Sequence, residues 1–140
     1  MSLMQVSRRV DYALRAAIYL SRQESDRPSS VSEISQLEGI PKKFLEKILQ
    51  DLIQQGLVVS RRGARGGYLL AREPGDVSFR DVMEAVEGPL ALNVCVGETD
   101  QCAVSSGCGM RRVWAEGQRR LDDLFSATTL ADLSIPVDPR

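Results

Sequence analysis

The sequence predicts a mainly α-helical chain with one small β-hairpin, and three patterns predict it. Apolar residues recur at three- and four-residue spacing through five separate stretches. Only Leu57 to Ala71 reads as two short β-type runs around a glycine-rich turn. Residues that start and stop helices, among them Ser7, Pro41, Gly56, Ser78 and Gly88-Pro89, bracket the periodic stretches. With 140 residues, 43% hydrophobic and 26% charged, the chain has the apolar content for one compact domain plus an appendage.

From Ser7 to about Arg22 the chain is rich in Ala and Leu, and Val10, Leu14, Ala17 and Ile18 follow helical spacing. A first helix capped by Ser7 is expected, with Asp11 in its first turns. A polar loop, Gln23 to Ser30, precedes a short helix from about Ser32 to Glu38, whose apolar pair is Ile34 and Leu37 and whose stop is Gly39. Pro41 suits the first turn of a longer helix that runs to about Gln55 before Gly56. On it Leu45, Ile48, Leu49 and Leu52 form one stripe, and Lys43, Lys47, Gln50 and Gln54 line the opposite side. Short helix, tight turn and longer helix with a Lys/Gln face are the parts of a helix-turn-helix, whose second helix enters the DNA major groove. A surface helix with solvated lysines would share that pattern.

The hairpin adds to the first reading. Leu57 to Ser60 and Tyr68 to Ala71 are its strands, and Arg61-Arg62-Gly63-Ala64-Arg65-Gly66-Gly67 is its turn. Arginines at such a tip can neutralise phosphates or enter a narrow minor groove, and glycines allow close backbone approach. A nucleotide phosphate cradle is not expected, since the segment is strand-turn-strand and lacks a GK[ST] ending. After Pro74-Gly75, Ser78 caps a helix carrying Phe79, Val82, Met83 and Val86. A last long helix, about Gly109 to Phe125, carries Met110, Val113, Trp114, Gly117, Leu121, Leu124 and Phe125 on one stripe, with Glu116–Arg120 and Arg119–Asp123 as i,i+4 pairs. Gly117 on that stripe suggests a crossing helix from a second subunit, with packing inside one chain as the alternative. Thr128 to Leu133 is read as a short final element and Pro136 to Arg140 as disordered.

The net charge of −1 hides an asymmetry. Residues 1–72 hold 12 basic against 7 acidic side chains, and residues 73–140 hold 6 against 12. The basic part is the candidate for meeting a polyanion. No run approaches the roughly 18 apolar residues of a membrane span, and the N-terminus lacks an apolar signal core. A cytoplasmic, reducing location without membrane partners is expected. The chain has no histidine, so with no general-base pairing an enzyme is not expected.

All three cysteines, Cys95, Cys102 and Cys108, fall within 14 residues of loop composition. Soft metals and clusters need converging thiolates, and a short loop can deliver three, although free cysteines can also serve as small buried hydrophobes. An odd number argues against a simple disulfide framework. At a helix N-terminus, the Cys108 thiolate is favoured by the helix dipole.

Taken in order, DYALRA (Asp11 to Ala16), IPKKFLEKIL (Ile40 to Leu49), RRGARGGYLL (Arg61 to Leu70) and the three cysteines before a long helix with Trp114 resemble the family of small dimeric winged-helix transcription regulators that includes IscR, NsrR, RirA and CymR. The resemblance spans Val6 to Leu133. It implies a winged helix-turn-helix DNA-binding domain at 1–88, a cysteine-bearing cluster loop at 89–108, a dimerisation helix and terminal element at 109–133 and a disordered tail at 134–140. A homodimer on a double-stranded DNA operator follows. Its contacts would come from Lys42, Lys43, Phe44, Lys47 and Gln50 in the major groove and from Arg61, Arg62, Gly63 and Arg65 in the minor groove. Val113, Trp114, Gly117, Leu121 and Leu124 would form the dimer interface.

Cluster-binding members hold an iron–sulfur cluster, two-iron or four-iron, on three cysteines that Cys95, Cys102 and Cys108 match. IscR-like members place a histidine three residues after the third cysteine; here that residue is Arg111, which excludes that ligation. NsrR-like members use an aspartate of the partner's first helix, which Asp11 matches. Asp11 could instead simply favour the helix dipole, with Glu98, Asp100, water or a small thiol as the fourth ligand. Other readings stay open: a cluster-free regulator sensing thiol oxidation or a partner enzyme, zinc on the same donors, and an iron–sulfur carrier that would have no need of a basic wing.

Overall fold

The computed structural model describes residues 5–92 and 109–134. The cysteine segment and the end of the expected tail, 135–140, lie outside the described residues. Six α-helices, a short 3-10 helix at Pro74–Asp76 and one two-stranded sheet are described.

Helix α1 (Arg8–Ser21) begins where expected, Ser7 Oγ accepting from the Val10 N–H. The same hydroxyl donates to Glu87 at 2.8 Å, tying this helix start to a residue 80 positions further along the chain. Its inner face is Val10, Ala13, Ala16, Ala17 and Leu20, all buried. Small side chains there bring neighbouring helices close. Helix α2 (Val31–Glu38) is capped by Ser30 and stopped by Gly39 in the left-handed region at φ 65°. Ile34 is fully buried, but Leu37 is 63% exposed, against expectation. An eight-residue helix presents only about two turns, and the core claims one line of it.

Helix α3 (Lys42–Gln54) follows Pro41 directly, and Leu45, Ile48, Leu49 and Leu52 are buried as their spacing predicts. Gly56, at φ 75°, turns the chain into strand β1 (Val58–Arg61), which pairs antiparallel with β2 (Gly67–Leu70), Val58 opposite Leu70 and Arg61 opposite Gly67. Ser29, just before α2, bonds to the other edge of β2: its N–H donates to the Tyr68 carbonyl at 3.0 Å and its carbonyl accepts from Tyr68 N–H at 2.8 Å. The hairpin is thereby stitched to the helical body.

Helix α4 (Phe79–Glu87) opens with a capping box formed by Ser78 and Asp81. Helix α5 (Arg111–Ala127) stacks Phe125 on Phe79 of α4, ring centroids 5.0 Å apart. The chain then returns to the core: Leu130, opening α6 (Leu130–Leu133), is fully buried, α6 packing against α1 and the Pro74–Asp76 turn, and its N–H donates to the Val77 carbonyl at 2.9 Å. Ser134, expected to begin the tail, caps α6 with its N–H on the Leu130 carbonyl. No helix of the described residues is long and apolar enough to cross a membrane.

Candidate nucleic-acid interface

The tight Gly39-Ile40-Pro41 connection fixes α3 against α2, with Ile40 buried beneath it. Outward from this buried base, Lys42, Lys43, Phe44, Lys47 and Gln50 are all exposed. Phe44 is 56% exposed, although its ring meets Tyr12 of α1 edge-on at 6.4 Å. A large aromatic left in solvent at a helix start is available to a partner surface. Lys47 is held differently: its Nζ lies 3.3 Å from Asp51, which also binds Arg9 of α1 at 2.7 Å. Asp51 is buried, and sequence spacing gave no sign of it, since an acid beside Leu52 reads as an ordinary polar position.

The hairpin carries Arg61, Arg62, Gly63 and Arg65 on its exposed turn. Its two trailing glycines are sterically required. A Cβ on Gly66 would lie 2.3 Å from the Arg61 carbonyl oxygen, and one on Gly67 would lie 2.5 Å from that of Ser29. The turn is therefore tight by necessity, and its arginines stand at a defined end of the sheet. Beneath it, a cleft of about 910 Å³ is lined by these arginines and by Glu24, Asp26 and Glu33. Glu33 also accepts from the Tyr19 hydroxyl, and burial with this carboxylate pushes the Tyr19 phenol up to about 12.

Asp11 sits in the first turn of α1, half-exposed, paired with Arg15 at 2.9 Å. Arg15 lies over the Tyr12 ring, 5.9 Å from its centroid, and donates to the Glu38 carbonyl at 3.4 Å. One arginine thus joins Asp11 to the end of α2 and to the aromatic that touches Phe44.

The three cysteines lie outside the described residues, but both flanks are attached to α5. Gln118, 7% exposed, accepts from Leu92 N–H at 2.8 Å and donates to the Leu90 carbonyl at 2.8 Å and to Asp122 at 3.1 Å. Its place beside the apolar stripe gives no local sign of this burial. The stripe itself divides. Leu121 and Phe125 turn toward the body, while Met110, Val113 and Leu124 are 64%, 64% and 58% exposed. Trp114 and Gly117 are half-buried at the boundary. A Cβ on Gly117 would come 3.2 Å from Leu92 of the same chain, so the neighbour met there is this segment. Among the described residues no group of three or more His, Cys, Asp or Glu side chains converges as a metal site.

The family model for Rrf2, described as an iron-dependent transcriptional regulator, matches residues 6–135. The protein rrf2 of Nitratidesulfovibrio vulgaris is 33% identical over 93% of this chain and 87% of its own length. CymR, the global cysteine regulator of B. subtilis, superposes with a TM-score of 0.80 at 28% identity over 97% of this chain and 100% of its own. IscR of T. potens gives 0.77 at 29% identity over 93% and 85%. Both show the same winged-helix architecture.

Proposed function

Because the chain belongs to the Rrf2 family of transcriptional regulators, we propose that it works as a homodimeric repressor whose grip on duplex DNA changes with the state of an iron–sulfur cluster held by its cysteines. The observation that carries the DNA reading is the pairing of an exposed, lysine-bearing start of α3 with an arginine-tipped wing on one packed scaffold. Two such units bound to half-sites about 34 Å apart would read a partly palindromic operator. The exposed Met110, Val113 and Leu124 are the surface a second copy would cover. Val113→Asp is expected to turn a dimer into a monomer in sedimentation velocity while leaving the far-UV circular dichroism unchanged.

The donor chemistry fits a cluster. Cys95, Cys102 and Cys108 supply thiolates, and Asp11 of the second copy supplies an oxygen, being half-exposed and tied only at the surface to Arg15. A cluster so held, with one iron on a weak oxygen ligand, would supply a site that nitric oxide, oxidants or iron shortage can attack. In this reading Asp11 is shared between two tasks. Drawn to the second copy, it leaves Arg15 to the Glu38 carbonyl and the Tyr12 ring; returned, it pulls Arg15 back along α1. Either shift is felt at the α2–α3 turn and at Phe44, where a small rotation changes half-site spacing.

A second reading is favoured by the likeness to CymR: the cysteines act as redox groups, or a partner enzyme is sensed, without a cluster. Protein purified without oxygen separates the two. Iron and acid-labile sulfide at about two or four per chain support the cluster; folded protein with neither supports the thiol branch. Selection of duplexes from a random pool tests the DNA reading, which fails if no sequence is enriched and binding does not weaken with salt.

A further inference from the structure

We infer that Arg9 belongs to the DNA-binding face, where it and Lys47 grip a backbone phosphate of the duplex, and that Asp51 is the residue positioning both. The inference rests on the DNA reading above. Asp51 lies on the helix proposed to enter the major groove, yet its side chain is only 12% exposed. Its two oxygens are divided between two cations: Oδ2 takes Arg9 Nη2 at 2.7 Å and Oδ1 takes Lys47 Nζ at 3.3 Å. The cations come from different helices and both reach solvent, Arg9 at 43% and Lys47 at 69%.

The charges do not cancel, since one carboxylate faces two cations. Nor are the donors spent. A guanidinium has five N–H groups and an ammonium three, and Asp51 takes one from each. What Asp51 removes is freedom. Long basic side chains lose rotamer entropy when they settle on a phosphate, and side chains already held lose less. Burial keeps the carboxylate itself from facing the polyanion. Arg9 is thus brought beside Lys47, on the exposed flank that also holds Lys43 and Gln50.

Two variants with the same change in charge separate positioning from simple electrostatics. Glu46 is an exposed acid of the same helix, so Glu46→Gln removes repulsion and should tighten binding to any duplex. Asp51→Asn also removes one negative charge, but should weaken binding severalfold because Arg9 and Lys47 are released. Equal or tighter binding by Asp51→Asn overturns the positioning role. Arg9→Gln is measured beside them on enriched and random duplexes from 50 to 200 mM salt. Loss of one phosphate contact lowers the slope of log affinity against log salt by about 0.9, equally for both duplexes. A wild-type slope in Arg9→Gln overturns the phosphate contact even if the DNA reading stands. Absence of salt-dependent binding by the wild-type protein overturns both. Should Asp51→Asn melt below the assay temperature, all the variants are compared at a lower temperature at which it is folded.

Discussion

Gly67 has φ 153°, and a Cβ there would lie 2.5 Å from the Ser29 carbonyl oxygen. Both facts concern backbone, which cannot swing aside as a side chain can. Gly67→Ala is therefore expected to cost about 1–3 kcal/mol and to weaken duplex binding more than it lowers the melting temperature, because the strain falls where the wing joins the body. Tyr19 gives a pH test. Its folded value of about 12 stands above the ordinary 10.0, because burial and then Glu33 favour the neutral phenol. The stabilisation is thus complete below pH 10 and lost as pH rises through about 12. Tyr19→Phe should be less stable at pH 8 by about 1 kcal/mol, the worth of a hydrogen bond to a carboxylate reduced by solvent screening. Its stability should then fall less than that of wild type between pH 10 and 12, as read by urea unfolding. Caps and stops such as Ser7, Gly39 and Ser78 were legible because each acts within four residues. Asp51 was not, because its burial depends on Arg9, 42 positions away.

Helix α5 shows what periodicity can and cannot give. The stripe and both i,i+4 ion pairs were legible; Arg120 meets Glu116 at 2.9 Å and Arg119 meets Asp123 at 3.4 Å. Pairs this exposed are worth little. The division of the stripe into a half packed on α4 and a half left open needed the path of another segment, which no local pattern encodes. Gln118 is the element's informative residue. Replacing it by leucine keeps the volume and removes the partners of the Leu92 N–H and the Leu90 carbonyl. Gln118→Leu should cost about 2 kcal/mol in urea unfolding. It should also raise amide exchange at Leu92 with that at α3 unchanged.

At the scale of the molecule, the order of helices and hairpin could be read because each is marked by its own capping or turn residues. The closure could not. Thr128 to Leu133 reads from the sequence as a short final element, yet Leu130 is fully buried in the core built around α1 and α3. Leu130→Ala should therefore cost about 2–5 kcal/mol, as large-to-small core changes do. A fragment of residues 1–88 should lose the cooperative thermal transition of the whole chain. Legibility thus ran along the chain and failed across it, at Asp51, Gln118 and Leu130, where distant segments meet.

That closure bears on how the protein is made. While it is being synthesised, the proposed DNA-reading helix and wing leave the ribosome well before Leu130 does, and the core that supports them stays open on one side. A nascent chain that has not yet extended past Leu130 would thus be a weak competitor for DNA. Any repression would then track the number of finished molecules, with premature or truncated translation products contributing little to it.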